Sequence, residues 1–210
     1  MKRLVFIINA FLSLASISNA QKPVIVGDIT VNYGVVELDN SSSKSLKETS
    51  KTLYIKGKMA RADFVSKDYR QTIIYDNKTG SAVVLKEIGT AKYLTRLSNE
   101  QWKTENEKFE GMSVLLSDEK QTIIGYECKK ATIKLKDGSI YYAYYTSSII
   151  PLTTENPYQF KDHPGLVLEF ETSGDTKSKK IVFTALSVNL SPVPASRFEL
   201  PTNGFRVIQP

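Results

Sequence analysis

The chain has 210 residues, with 28 lysines and arginines against 22 aspartates and glutamates, one histidine and one cysteine. The basic residues are scattered and mostly lysine, the pattern of solvated strand faces, so no nucleic-acid partner is expected. One cysteine excludes an internal disulfide, and one cysteine with one histidine falls short of the four ligands of a structural zinc site, so no metal or cofactor is expected.

Met1–Ala20 reads as a signal peptide. Lys2 and Arg3 form a positive start, Leu4–Ile17 is apolar, and Ser18-Asn19-Ala20 supplies small residues for cleavage. Export is the expectation, to the periplasm or beyond, with cleavage after Ala20. Without Lys2 and Arg3, 26 basic residues stand against 22 acidic ones, a net +4. No later stretch is long and apolar enough to be read as a membrane span. Residues 21–210 are expected to form one β-rich domain.

Val24–Leu38 opens that domain with alternating Ile29, Val31 and Tyr33. Asp39–Lys51, rich in serine and lysine, is read as a mobile loop. Thr52–Phe64, Tyr69–Tyr75, Ala82–Leu85 and Ala91–Leu97 are strand candidates, with a turn at Asp76–Gly80. A helix is predicted over Asn99–Glu110. Ser98 is a suitable N-cap, and Gln101 completes a capping box. Trp102 and Phe109, seven residues apart, would share one face of that helix. It would lie on the sheet as a lid or as an ordinary packed element.

Met112–Leu116 and Gln121–Lys129 lead to a hairpin, Lys130–Lys136 and Ser139–Tyr145, around Asp137-Gly138. A two-residue loop would pair Leu135 with Ile140 and Ile133 with Tyr142. That register places Ile133, Leu135, Tyr142 and Tyr144 on one apolar face, and sets Tyr141 over the stem of Lys134. After a polar insert, Leu166–Glu171 is the next strand, with Leu166, Leu168 and Phe170 on one face. Lys180–Leu190 returns, and Ser191-Pro192-Val193-Pro194 stops regular pairing. Together these elements predict a mainly β fold: a large, curved antiparallel sheet or half-open barrel, with one or two helices on its concave face.

Four segments in order, IIGYECKKA, YAYYTSSIIPL, FKDHPGLVLEFE and FELPTNGFRVI, resemble the GLPGLI family of exported bacterial proteins. At the positions of the family's Gly-Leu-Pro-Gly-Leu-Ile motif, Pro164, Gly165 and Leu166 match, Val167 is a conservative change, and Asp162 and His163 depart. The resemblance covers about half of residues 21–210. It implies no activity. The layout is also similar to that of LolA-type lipoprotein carriers, whose half-open barrel wraps an apolar cavity; that similarity is one of fold, not of function.

The sequence has no HExxH, GxSxG, CxxC, P-loop or dinucleotide fingerprint, and so no catalytic residue is selected. Cys128 is read as a small buried strand residue, and His163 as a turn-flanking one. The expected role is a non-enzymatic carrier of a lipid, lipoprotein or apolar peptide. The expected cavity residues are Trp102, Phe109, Ile133, Leu135, Tyr142 and Tyr144, with Leu166, Leu168 and Phe170 from the next strand. A cell-envelope sensor or protein-interaction module is the alternative, and a hydrolase with an unmarked carboxylate site stands last.

Overall fold

The computed structural model describes residues 22–39, 42–174 and 179–209. The expected signal peptide lies outside the described residues. Fourteen strands and one α-helix occur among those described. They are β1 (Val24–Val26), β2 (Asp28–Asp39), β3 (Ser42–Lys56), β4 (Met59–Val65), β5 (Tyr69–Asp76), β6 (Ser81–Ile88), β7 (Ala91–Leu97), α1 (Asn99–Glu105), β8 (Ser113–Ile123), β9 (Tyr126–Lys134), β10 (Ile140–Thr146), β11 (Ile149–Pro151), β12 (Leu166–Ser173), β13 (Lys180–Asn189) and β14 (Arg206–Ile208).

Twelve strands form one sheet in the order β14-β7-β6-β5-β4-β3-β2-β13-β12-β10-β9-β8. All its pairs are antiparallel except β14 with β7. The sheet stays open, with β14 and β8 at its edges, and β1 pairs with β11 as a separate parallel ribbon. The mainly β class and the single helix agree with the sequence reading. Among the described residues, no helix is long and apolar enough to cross a membrane.

Burial alternates along the strands. Ile29, Val31, Tyr33 and Val35 point inward from β2, and Leu53 and Ile55 from β3. The inner face is covered by α1 and by residues 152–165, which connect β11 to β12. The C-terminal segment returns over β4: Arg61 Nη1 donates to Arg197 O at 2.6 Å, and the Arg197 guanidinium stacks 5.1 Å from the Tyr54 ring.

Three expectations are corrected. The expected loop Asp39–Lys51 is strand where it is described: Asp39 ends β2, and Ser42–Lys51 is the first two-thirds of β3, paired with β2. Serines and lysines suit this stretch because most of it is exposed; Leu46 packs on the core, and Lys51 at its end is turned inward. Thr52–Phe64 is not one strand but two, broken at Gly57-Lys58, with Gly57 at φ 56° leading the two-residue loop. Gln121–Lys129 also contains a turn. Ile124 and Gly125 have φ of 43° and 85°, the paired positive values of a type I′ loop between β8 and β9.

The central hairpin carries the most consequential correction. Its loop has three residues, not two. Leu135 N donates to Ser139 O at 2.9 Å, Gly138 N to Leu135 O at 3.1 Å, and Ser139 N to Asp137 Oδ1 at 2.9 Å. Gly138 alone takes a left-handed φ, 86°, as in a type I turn followed by a bulge. The pairing is therefore Ile133 with Tyr141, Thr132 with Tyr142 and Ala131 with Ala143. A slip of one residue moves every β10 side chain to the opposite face.

Candidate functional site

The inner face is centred on a buried cation among aromatic rings. Phe170 and Phe183, paired across β12 and β13, stack with centroids 4.9 Å apart and planes at 16°. Phe160, from the covering loop, meets Phe170 edge-on at 5.1 Å, and Tyr33 meets it at 5.9 Å. The Lys51 ammonium lies 4.5 Å from the Phe170 centroid and 5.1 Å from that of Phe183, where the ring faces are electron-rich. Its Nζ donates to Glu155 Oε1 at 2.6 Å, with both side chains largely withdrawn from water. Tyr33 Oη donates to Val167 O at 2.9 Å, and burial, with Glu155 nearby, pushes its hydroxyl well above the usual tyrosine range. Lys51 thus ties the sheet to the covering loop.

Helix α1 is held as its sequence predicts. Ser98 Oγ accepts from Gln101 N, and Gln101 Oε1 accepts from Ser98 N at 2.9 Å. It ends earlier than expected. Asn106 turns its side chain back onto the helix, Nδ2 donating to Trp102 O at 2.8 Å, and a short 3-10 turn, Glu107–Phe109, follows. Asn106 Oδ1 also accepts from Asn156 Nδ2 of the covering loop at 2.6 Å.

That break separates Trp102 from Phe109. Trp102 packs on Tyr75, Ala82, Val84 and Leu97, at the β5–β7 end of the sheet, while Phe109 joins the main core beside Ile133 and Leu135. Both point to the sheet, but Trp102 does not meet the hairpin.

Three cavities flank the covering loop. One, of about 660 Å³, lies between Phe109, Ile133, Leu135 and Tyr141 on one side and Glu171 and Lys180 on the other. A second, of about 550 Å³, is mainly apolar, with Leu53, Ile55, Pro151, Phe160 and Leu166 in its walls. A third, of about 190 Å³, lies between Trp102, Lys51, Glu155 and Phe183. The expected cavity residues are therefore spread out: Phe109, Ile133 and Leu135 line the first, Leu166 the second and Trp102 the third. Leu168 and Phe170 are buried in the core and line none of these three.

Tyr142 and Tyr144 are on the wrong face for an inner cavity. Tyr142 is 36% exposed beneath the Lys130 ammonium, which lies 4.4 Å from its ring, and Tyr144 Oη donates to Glu119 Oε1 at 3.0 Å. Tyr145 is the buried tyrosine of β10. Tyr141 pairs with Ile133, not Lys134, so it does not cover that lysine from the opposite position. Lys51, Glu155 and Phe183 were missed by sequence reading. A signal for Lys51 exists: Leu53 and Ile55 point inward, and period-two alternation carried back from them puts Lys51 on the same face.

Cys128 is fully buried, and burial pushes its thiol up to about 11. The His163 ring sits edge-on to Tyr145 and Phe160, its Nδ1 is 3.0 Å from Lys161 O, and burial lowers its proton affinity. No group of three or more His, Cys, Asp or Glu side chains that could hold a metal occurs among the described residues.

The Pro-Gly entry to β12 has a steric basis. A Cβ at Gly165 would run into the Thr146 carbonyl oxygen of β10, so the two backbones meet only because position 165 is glycine. Asp162, which stands where the GLPGLI motif begins with glycine, has a φ of 64°.

No protein-family model matches the chain, and no curated protein matches it in sequence. With no family match, the GLPGLI resemblance rests on its motifs. Solved structures do match. The structure of PNGF-II in a C2 crystal form aligns with a TM-score of 0.51 at 13% identity, over 87% of this chain and 31% of that one. The chain thus spans about a third of that protein's length. An uncharacterized conserved protein from Thermus thermophilus aligns with a TM-score of 0.50 at 8% identity, over 86% of this chain and 90% of that one. These likenesses are of fold. A putative outer membrane lipoprotein-sorting protein domain from Vibrio parahaemolyticus also matches, at a TM-score of 0.24 and 10% identity, over 82% and 89% of the two chains; a similarity that low determines no feature of this chain.

Proposed function

We propose that this chain is a non-enzymatic binding or carrier protein of the bacterial envelope for an apolar ligand such as a lipid, a lipoprotein or an apolar peptide. The observation that carries this reading is the mainly apolar cavity of about 550 Å³ between the covering loop and β2–β3. Its size is that of small-molecule sites in general, and apolar walls with few polar groups are their usual lining. The signal-like start and the motifs shared with exported GLPGLI proteins support the compartment and the family. Native mass spectrometry after gentle purification, with titration of a fluorescent acyl probe, tests the proposal. Co-purified lipid or saturable probe uptake is expected; a bare protein that takes up no probe would end it.

The alternative, an envelope interaction module, is supported by the edge of β8, which pairs only with β9 among the described residues and where Leu115 and Leu116 are 69% and 44% exposed. Such an edge offers unpaired backbone groups to a partner strand. Crosslinking in cells through β8 tests it, and recovery of no envelope protein counts against it.

A further inference from the structure

The apolar cavity of about 550 Å³ opens beside the parallel ribbon of β1 and β11. Ile150, Pro151 and Leu152 are among its walls, yet Leu152 is 51% exposed. A side chain that both lines a cavity and meets solvent marks its mouth. The ribbon carries this apolar rim outward. Ile25 pairs with Ile150, and paired residues of a ladder share a face. Leu152 N donates to Val26 O at 3.2 Å, which extends the ladder by one step. A Cβ on Gly27 would lie 3.5 Å from a Leu152 methyl, so Leu152 stands beside Gly27, on the face that Ile25 shares two residues earlier. Ile25 is 69% exposed and is not among the cavity walls. Ile25, Ile150 and Leu152 thus form one apolar strip that runs from the surface into the cavity. Val24, 54% exposed, lies next to it.

Size and charge decide what covers the strip. The exposed side chains of Val24, Ile25 and Leu152 make a small patch, far short of the roughly 800 Å² per partner that a stable protein interface buries. Three such side chains do suffice for shallow insertion between lipid head groups, where apolar area and attraction to anionic lipid act together. The rim supplies the cations. Of the carboxylate and ammonium groups in the cavity walls, Glu155 is buried and paired with Lys51, whereas Lys161 is exposed. Lys22, also exposed, precedes the ribbon by two residues. Asp162 follows Lys161 in the chain but does not line the cavity. Lysines bordering an apolar strip fit a bilayer surface, their stems along the acyl boundary and their ammonium groups among anionic head groups.

We propose that the β1–β11 ribbon docks on an anionic lipid bilayer and sets the mouth of the apolar cavity against the acyl layer, so that the ligand enters there. The proposal rests on the carrier reading and adds the surface from which the ligand is taken. Sedimentation with phosphatidylglycerol vesicles tests the docking, and titration of a fluorescent acyl probe from solution tests the cavity. The unaltered protein should bind the vesicles. Ile25→Asn should weaken that binding about tenfold, the worth of burying one such side chain, while probe uptake from solution stays within about twofold, because Ile25 lies outside the cavity walls. A polarity-sensitive dye on Ile25→Cys should shift to the blue with vesicles; the native Cys128 is fully buried and stays unlabelled. Vesicle binding equal in Ile25→Asn and the unaltered protein, or a dye that does not respond, would overturn the docking and leave the carrier reading standing. So would a protein that ignores vesicles but self-associates until Ile25→Asn makes it monomeric, since the strip would then be a contact between copies. If the probe does not bind from solution, the carrier reading fails and the portal fails with it.

Discussion

Lys51 and Glu155 meet inside the sheet, Nζ to Oε1 at 2.6 Å, with side-chain exposures of 13% and 8%. One comes from β3, the other from the loop that covers the inner face, and 104 residues separate them in the chain. The pair therefore fastens the cover to the sheet. Replacing one partner leaves a buried charge alone, which typically costs about 3–5 kcal/mol, whereas replacing both with apolar residues is often close to neutral. Lys51→Met should destabilise strongly, and Lys51→Met with Glu155→Leu should recover most of the loss. Urea unfolding of the two variants checks this. A double variant no more stable than Lys51→Met would mean that the two do not act as a pair.

The hairpin register makes opposite demands on neighbouring tyrosines. Tyr145 is 3% exposed and Tyr142 is 36% exposed. Tyr145→Ala should cost about 3–5 kcal/mol, as for other large buried aromatic side chains. Tyr142→Ala should cost about 1 kcal/mol or less, since it loses only cross-strand and lysine contacts. The reverse ranking would restore the two-residue loop and the other face. Denaturant midpoints of the two variants decide it.

Ile124 is a β-branched residue at φ 43°, in the loop between β8 and β9. Its Cβ makes that conformation unfavourable by about 1–2 kcal/mol. The side chain is 40% exposed, so little packing is lost on replacement. Ile124→Asn should therefore stabilise by about 1 kcal/mol, because asparagine tolerates left-handed backbone better. A thermal melt reads this as a rise in midpoint, and an unchanged or lower midpoint would show that the Ile124 contacts outweigh the backbone strain.

His163 carries a pH dependence. Burial lowers its pKa in the fold below the ordinary 6.5. The unfolded chain then binds the proton more readily, and stability rises with pH where that difference operates. The His163 contribution is present above pH 6.5 and is lost as the pH falls from there toward the lowered folded value. Between about pH 7.5 and 5.5 few carboxylates change charge, so His163 should dominate the slope. Denaturant unfolding at the two pH values should show a loss of stability at the lower one, and a smaller loss in His163→Gln. An equal slope in both proteins would assign the effect elsewhere.

Much of the fold was legible because it rests on short-range effects. The alternation of Ile29, Val31 and Tyr33 marked β2, and Ala91–Leu97 is β7 as expected. Ser98 and Gln101 marked the helix start, since a cap needs only residues within one turn. The helix end was not legible. It depends on Asn106, whose side chain bonds both its own helix and Asn156, 50 residues away. The site was less legible for the same reason. Phe109, Ile133, Leu135, Leu166 and Trp102 do line cavities, but three different ones.

From its sequence alone, this protein is a strand-rich chain with one capped helix and no recognised catalytic motif, because strand period, cap chemistry and motif spacing are properties of neighbouring residues. Tertiary structure alone decided which residues face inward together. The loop at Asp137-Gly138 could close with two residues or three. The observed three-residue closure puts Tyr145 inside and leaves Tyr142 outside. Likewise a lysine in a serine-rich stretch becomes a buried cation only when Phe170, Phe183 and Glu155, from distant strands and a distant loop, gather round it. Faces, registers and buried charges depend on partners that the local sequence does not contain.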